Sequence, residues 1–356
     1  MANKIVDGSQ CTIVFYVDDN KISHKDPQVV TDVLNAISQH FGDLSISRGN
    51  KHDFLGMNIE IKDRQVHINM QEQVQVAIEW GHSQGGCKPP NPATSQLFST
   101  DLESEVLSDD DSDLFHSIVQ KLLYICKRAR PDIEPVVSYL CTRVSSSSKE
   151  DDTKLTRVLG FLEKTINDER IIGATDLNTL YTWVDASYGV HPDMKSHTGG
   201  NMSYGLGTLH TKSSKQKLNT KSSTEAELVG VSEYLPYNIW MTNFLEKQGY
   251  KPTSNVIYQD NQSAMRMEIN GRNSCTGNSR HIDIRYFFVK DRVETGEVQI
   301  EYCPTEDMIV DFFTKPVQGA LFKKFRDQVM GYVPITFPTS YSPKIKERVE
   351  HQVISK

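Results

Sequence analysis

The chain has 356 residues, room for two or three domains with cores of their own, and its formal net charge of -7 argues against a free-standing basic nucleic-acid binder. Six cysteines, at 11, 87, 126, 141, 275 and 303, fall at no paired spacing and offer no zinc site. No apolar run approaches the roughly 20 residues of a membrane span and the N-terminus lacks a signal-peptide core, so the chain is expected to be intracellular, cytoplasmic or nuclear, with no membrane partner.

Residues 10 to 25 read as a β-hairpin, with Thr12 to Val17 as the first strand, Asp18-Asp19-Asn20 as the turn and Lys21 to His24 as the return. Asp7-Gly8 carries a further hairpin-turn signal. Val29, Val30, Val33, Leu34 and Ile37 share one side of a helix over 28–40. Short strands follow around Asp53 to Ile61 and Gln65 to Asn69, then a helix over 71–80. Gly85-Gly86, Pro89-Pro90 and Pro92 break the pattern, and the acidic stretch Asp101 to Asp113 is expected to be mobile. Two helices are predicted over 113–143, about the Arg130-Pro131 break. Ser145 to Asp152 reads as a polar surface turn, followed by a helix over 153–166. Past about residue 331 the chain turns Pro-rich and then charged, which predicts a flexible tail.

Four acids stand out in the last third. Asp185 closes the apolar run Tyr181-Thr182-Trp183-Val184, and Asp260 closes Val256-Ile257-Tyr258-Gln259, so both are expected at strand ends. Glu227 falls in the first turns of a helix opened by Ser222-Ser223-Thr224, and Asp311 lies in the short apolar segment Met308-Ile309-Val310-Asp311-Phe312-Phe313. Carboxylates from such places can hold two divalent cations, the machinery of phosphodiester hydrolysis.

The words around these acids resemble the ribonuclease H domain of retroelement polyproteins, in particular the copia type of LTR retrotransposon. They are Val184-Asp185-Ala186-Ser187, Ser222-Ser223-Thr224-Glu225-Ala226-Glu227-Leu228, Tyr258-Gln259-Asp260-Asn261-Gln262-Ser263-Ala264, Arg280-His281-Ile282-Asp283-Ile284-Arg285 and Asp311-Phe312-Phe313-Thr314-Lys315-Pro316. Upstream, Phe15-Tyr16-Val17-Asp18-Asp19 resembles the paired-aspartate motif of a reverse transcriptase, and Phe54-Leu55-Gly56-Met57 and Ala129-Arg130-Pro131-Asp132-Ile133 resemble its later landmarks. The ordered run covers about residues 1–330 and is far more specific than any one word.

The resemblance implies an α/β chain, a partial polymerase palm and connection followed by a ribonuclease H-like domain with a mixed five-stranded sheet flanked by helices. The expected division is 1–80 for the end of the palm and thumb, 81–169 for a helical connection with an acidic linker, 170–330 for the ribonuclease H-like domain and 331–356 for the tail. It implies two Mg2+ or Mn2+ ions, Asp185 bridging both, Glu227 and Asp260 completing one and Asp311 the other. The implied substrate is the RNA strand of an RNA–DNA hybrid, and the implied partner is the rest of a Pol polyprotein, in the cytoplasm (in a virus-like particle) or the nucleus. Asp18 and Asp19 would be the remnant of a polymerase site. No earlier palm aspartate or fingers precede them, so DNA synthesis by this chain alone is not expected.

Each assignment has a plainer counterpart. Asp185 and Asp260 can be ordinary turn aspartates, and Asp18-Asp19-Asn20 a solvated turn. Two overlapping capping boxes, Ser222 with Glu225 and Thr224 with Glu227, leave Glu227 free to ligate if Ser222 is the cap. Asp311 is favoured early in a helix by the dipole alone. His281 can assist product release, bind a phosphate or serve structurally. Lys212, Lys215, Lys217 and Lys221 can track a phosphate backbone or form a charged strand edge. Pro236 interrupts the helix after Glu227 at a cost of about 3 kcal/mol unless the helix kinks. With the missing palm, it favours the rival reading of a catalytically silent remnant.

Overall fold

The computed structural model describes residues 1–81, 88–270 and 280–337, except for the side chains of 280–284 and 286. No helix among them is long and apolar enough to cross a membrane. β1 (Ala2–Val6), β2 (Ser9–Tyr16) and β3 (Asp19–Ser23) form an antiparallel sheet. β1, which the sequence reading leaves out, is joined to β2 through Asp7-Gly8, whose φ values of 49° and 73° suit a type I′ turn. The next turn comes earlier than expected. Tyr16 pairs with Asp19, so Val17-Asp18 forms the loop and Val17 takes a φ of 53° that is strained for a β-branched residue.

After α1 (Pro27–Phe41), the strands β4 (Lys51–Phe54), β5 (Met57–Lys62) and β6 (Gln65–Asn69) form two further tight hairpins, followed by α2 (Gln71–Trp80). Three helices then pack together: α3 (Asp109–Arg128), α4 (Glu134–Cys141) and α5 (Lys149–Lys164). The acidic stretch is not simply a mobile linker. Ser108 caps α3, and Asp109, Asp110 and Asp111 occupy its first turn, where the helix dipole favours negative charge. Ser145 to Asp152 is not a surface turn either. Ser148 and Asp151 form a capping box for α5, and Asp151 is fully buried 3.1 Å from Arg143. Leu122, Ile125, Val137, Leu140, Val158 and Leu162 line the resulting core, each contributing about 1.5–3 kcal/mol by burial.

The Arg130-Pro131-Asp132 word ends α3 and ties it to the far end of the chain. Asp132 is fully buried, accepting from Arg130 Nε and Nη2 and from Arg326 Nε, each at 2.9 Å. Burial alone would raise its pKa, but the two guanidinium groups hold it below the usual carboxylate range.

β7 (Arg170–Ala174) pairs with β6 and, on its other edge, with β10 (Gly205–Leu206), giving the order β10-β7-β6-β5-β4. The strand at the expected start of the last domain therefore belongs to the sheet before it. A second five-stranded sheet is mixed. β8 (Thr179–Ser187) lies at its centre, antiparallel to β9 (His197–Ser203) and parallel to β12 (Ser254–Gln259). β11 (His210–Lys215) and β13 (Gln299–Tyr302) form the edges. The helices α6 (Ser223–Lys247), α7 (Gln262–Asn270) and α9 (Asp311–Thr314) pack on it, α8 (Arg280–Glu294) packs on α6 and α7, and α10 (Gly319–Val329) packs on α9. α6 runs unbroken through Pro236, whose side chain is exposed.

Residues 331–337 are docked rather than flexible. Ile335 is buried and its amide donates to Gly205 O, and the Phe337 ring lies 4.2 Å from that of Tyr181. Residues 338–356 lie outside the described residues.

A buried histidine pair supports α9. Ser213 Oγ donates to Phe313 O at 2.8 Å, so His197 Nε2–H donates to Ser213 Oγ at 2.7 Å and His191 Nε2–H donates to His197 Nδ1 at 2.9 Å. Burial pushes the His191 pKa down to about 4 and that of His197 to about 3. Both are neutral in the fold and take up protons when it opens, so stability should fall as pH drops below about 6.5, by about 2 kcal/mol or more at pH 5. Urea unfolding at pH 7.5 and pH 5 measures this. An equally steep slope in the His191→Gln, His197→Gln double variant would count against the pair as its source.

Candidate metal centre

The parallel register of β8 and β12 builds the centre of the site. Trp183 pairs with Tyr258, and two residues beyond this pair on each strand stand Asp185 and Asp260. Equal offsets on parallel strands put the two carboxylates level and on the same side. Asp185 lies within β8, which continues to Ser187, rather than at its end. Asp260 directly follows β12.

The start of α6 supplies the third acid. Ser222 is the N-cap and accepts from Glu225 N at 3.2 Å, while Glu225 accepts from Lys221 N at 2.7 Å. Glu225 is thus occupied at the cap, and Glu227, two residues on, is buried. Asp185, Glu227 and Asp260 each offer a carboxylate oxygen, all within 4.8 Å of one another, the first two buried and the third half-buried. Such crowding is costly without a cation. Burial, then Asp185 and Asp260, push the Glu227 pKa well above the usual range, with a hydrogen bond to Asp185 adding to the effect. Burial and Asp185 likewise raise Asp260, despite its hydrogen bond from Thr305 Oγ1 at 3.2 Å.

Asp311, the first residue of α9, lies outside this tight group but belongs to the same electrostatic unit. Burial and Asp185 push its pKa up to about 7, against the pull of Lys315. α9 can come this close because β9 carries glycine opposite Asp185. A Cβ on Gly199 would fall 2.4 Å from Thr314 Cγ2, and one on Gly200 would fall 2.1 Å from the Tyr234 ring of α6.

Four residues at the site were not singled out from sequence. Thr314 Oγ1 donates to Asp185 Oδ2, Lys315 Nζ lies 2.6 Å from Asp311 and 3.6 Å from Asp185, and Thr305 holds Asp260. The i,i+4 spacing of Asp311 and Lys315 was a legible signal for their pairing. Glu268 of α7 is fully buried, and neither carboxylate oxygen has a formed hydrogen bond. The Gln259 amide nearby lowers its pKa somewhat, but burial pushes it up to about 8.

The other candidates divide. Lys212 is drawn to Glu233 at 3.6 Å and Lys215 to Asp193 at 2.7 Å, while Lys217 and Lys221 are exposed on the segment leading into α6. Asp18 and Asp19 are exposed at the β2–β3 hairpin, and His281 has its side chain outside the described residues.

No family model matches the chain. The chain is mixed α/β, and its second sheet is five-stranded in the order β11-β9-β8-β12-β13. By sequence, the chain is similar to Pol polyproteins of transposons. It is 24% identical over 324 residues to the Retrovirus-related Pol polyprotein from transposon TNT 1-94 of Nicotiana tabacum, a match covering 89% of this chain and 24% of that protein. It is 27% identical over 326 residues to the Retrovirus-related Pol polyprotein from transposon RE1 of Arabidopsis thaliana, covering 89% of this chain and 21% of that protein. The chain thus spans a quarter or less of the length of these relatives. Among solved structures, the foamy viral protease-reverse transcriptase in complex with RNA/DNA hybrid aligns with a TM-score of 0.49 and 13% identity, covering 94% of this chain and 38% of that one.

Proposed function

We propose that this chain hydrolyses the RNA strand of RNA–DNA hybrids in a metal-dependent reaction, as part of a longer retrotransposon Pol polyprotein. The observation that carries this reading is the convergence of Asp185, Glu227 and Asp260, with oxygens mutually within 4.8 Å toward the carboxyl ends of two parallel strands. The donor set consists of carboxylate oxygens, which suit Mg2+ or Mn2+ better than zinc. Cations bound there supply Lewis-acid polarisation of the phosphoryl group and a water of lowered pKa.

Asp185 holds the central position, facing both the Glu227–Asp260 group and Asp311, and would bridge two ions. Glu227 and Asp260 would complete one coordination shell and Asp311 the other. Thr314 and Thr305 fix the orientation of Asp185 and Asp260 by donating to one oxygen of each. Lys217 and Lys221, exposed on the approach to α6, would hold phosphates of the bound strand. Contacts to 2′-hydroxyls across the wide minor groove of the hybrid would select RNA.

The direct test is cleavage of an end-labelled RNA–DNA hybrid in Mg2+ or Mn2+, with duplex DNA and free RNA as controls. Cleavage of the hybrid alone is the expected result. Addition of the ion should also raise the melting temperature, by the equivalent of about 2.7 kcal/mol at a hundredfold excess over Kd. A folded chain that gains stability from neither ion and cuts no hybrid would defeat the reading and leave a silent remnant.

A further inference from the structure

One cation already sits among these carboxylates, and the chain itself supplies it. Lys315 Nζ lies 2.6 Å from Asp311 Oδ1 and 3.6 Å from Asp185 Oδ2. Asp311 opens α9 and Lys315 is its C-cap, so a single turn of helix carries both the acid and the ammonium. The three acids whose oxygens lie mutually within 4.8 Å leave Asp311 out, and its carboxylate is engaged by Lys315 instead. The two sides of Asp185 are therefore unlike. On one side Glu227 and Asp260 present carboxylates to a common point, and on the other the charge of Asp311 is already balanced.

We propose that Lys315 is a tethered competitor for the second divalent ion: it balances the Asp185–Asp311 side of the centre in the resting chain and must swing out before an ion can bind there. The inference rests on the metal-centre reading given above. The geometry allows the exchange, since the Lys315 side chain is 41% exposed and has a path to solvent. An ammonium on a flexible four-carbon stem is suited to such a movement. The consequence is unequal affinity. The Asp185–Glu227–Asp260 position fills first, and the Asp185–Asp311 position fills only where ion or substrate phosphate helps to displace Lys315.

The test is a titration of the full chain with Mn2+, reading free Mn2+ by electron paramagnetic resonance and the melting temperature in parallel. Wild type should bind one Mn2+ in a tight phase and a second in a weak phase. Lys315→Gln, which removes the charge and keeps a polar side chain, should bring the second phase to about tenfold lower concentration or further, because a unit charge a few ångströms from the ion has gone. Lys315→Arg should keep the wild-type separation, and Asp311→Asn should abolish the second phase with or without Lys315. Superimposable isotherms for folded wild type and Lys315→Gln would overturn the proposal. Loss of Mn2+ binding in Lys315→Gln alone would also overturn it, by making the lysine a support instead of a competitor. Hybrid cleavage with unchanged isotherms would sink the competitor and leave the nuclease standing, whereas no Mn2+ bound by any variant would sink both.

Discussion

Replacing Asp185 by Asn is expected to cut hybrid hydrolysis by about a thousandfold or more, about 4 kcal/mol in the barrier. The Asp185 charge raises the pKa of each of the other three acids, so it is central to the site. The substitution changes little sterically, and an Asn oxygen can still accept the hydrogen bond from Thr314. It removes a negative charge from a crowded, buried set, so the metal-free variant should be at least as stable as wild type. The stabilisation gained from added Mn2+ or Mg2+ should shrink in the same variant. Lost activity with an unchanged or higher metal-free melting temperature is thus the signature of a site residue. Wild-type cleavage rates in Asp185→Asn would remove it from the mechanism, and a large drop in metal-free stability would mark it as structural.

The second large effect is structural. Asp132→Ala should destabilise the chain by about 3–5 kcal/mol, because it leaves the buried Arg130, and the partly buried Arg326, without their shared carboxylate. Arg130 is 2% exposed, so water cannot take over the role of Asp132 there. The loss also reaches the site, since Arg326 belongs to α10, which follows the short helix carrying Asp311. Urea unfolding reads the effect as a fall in midpoint at unchanged slope. A change below about 1 kcal/mol would show that the pairs offset little more than their own desolvation.

The contrast between these residues shows how far sequence reasoning reaches. Local signals located Glu227 well. Ser222 followed by Glu225 is a capping pattern, and the structure uses Glu225 at the cap while Glu227 turns into the group. The apolar runs before Asp185 and Asp260 are strands buried on both faces, and such strands read along the chain as short, nearly continuous apolar runs. The acidic segment before α3 misled because charge alone does not separate a solvated linker from a helix start that uses the same charges against its dipole. Ser145 to Asp152 misled for a related reason. Its polar groups satisfy one another in a buried capping box, and composition does not reveal that pairing.

Neighbouring residues alone set the local choices: which stretches are strands or helices, where they are capped, and the ordered words that carry the resemblance to retroelement polyproteins. These depend on neighbours a few residues apart, and such information is written along the chain. Long-range packing puts Asp185 and Asp260 level, joins β7 to the sheet before it, docks residues 331–337 on β10, and brings Lys315 to Asp185 across 130 positions of sequence. Those relations come from strand register, from glycines at 199 and 200 that let two helices approach one strand, and from burial that draws charges such as Asp132 into pairs. They join residues far apart in the chain, through packing that no local pattern encodes.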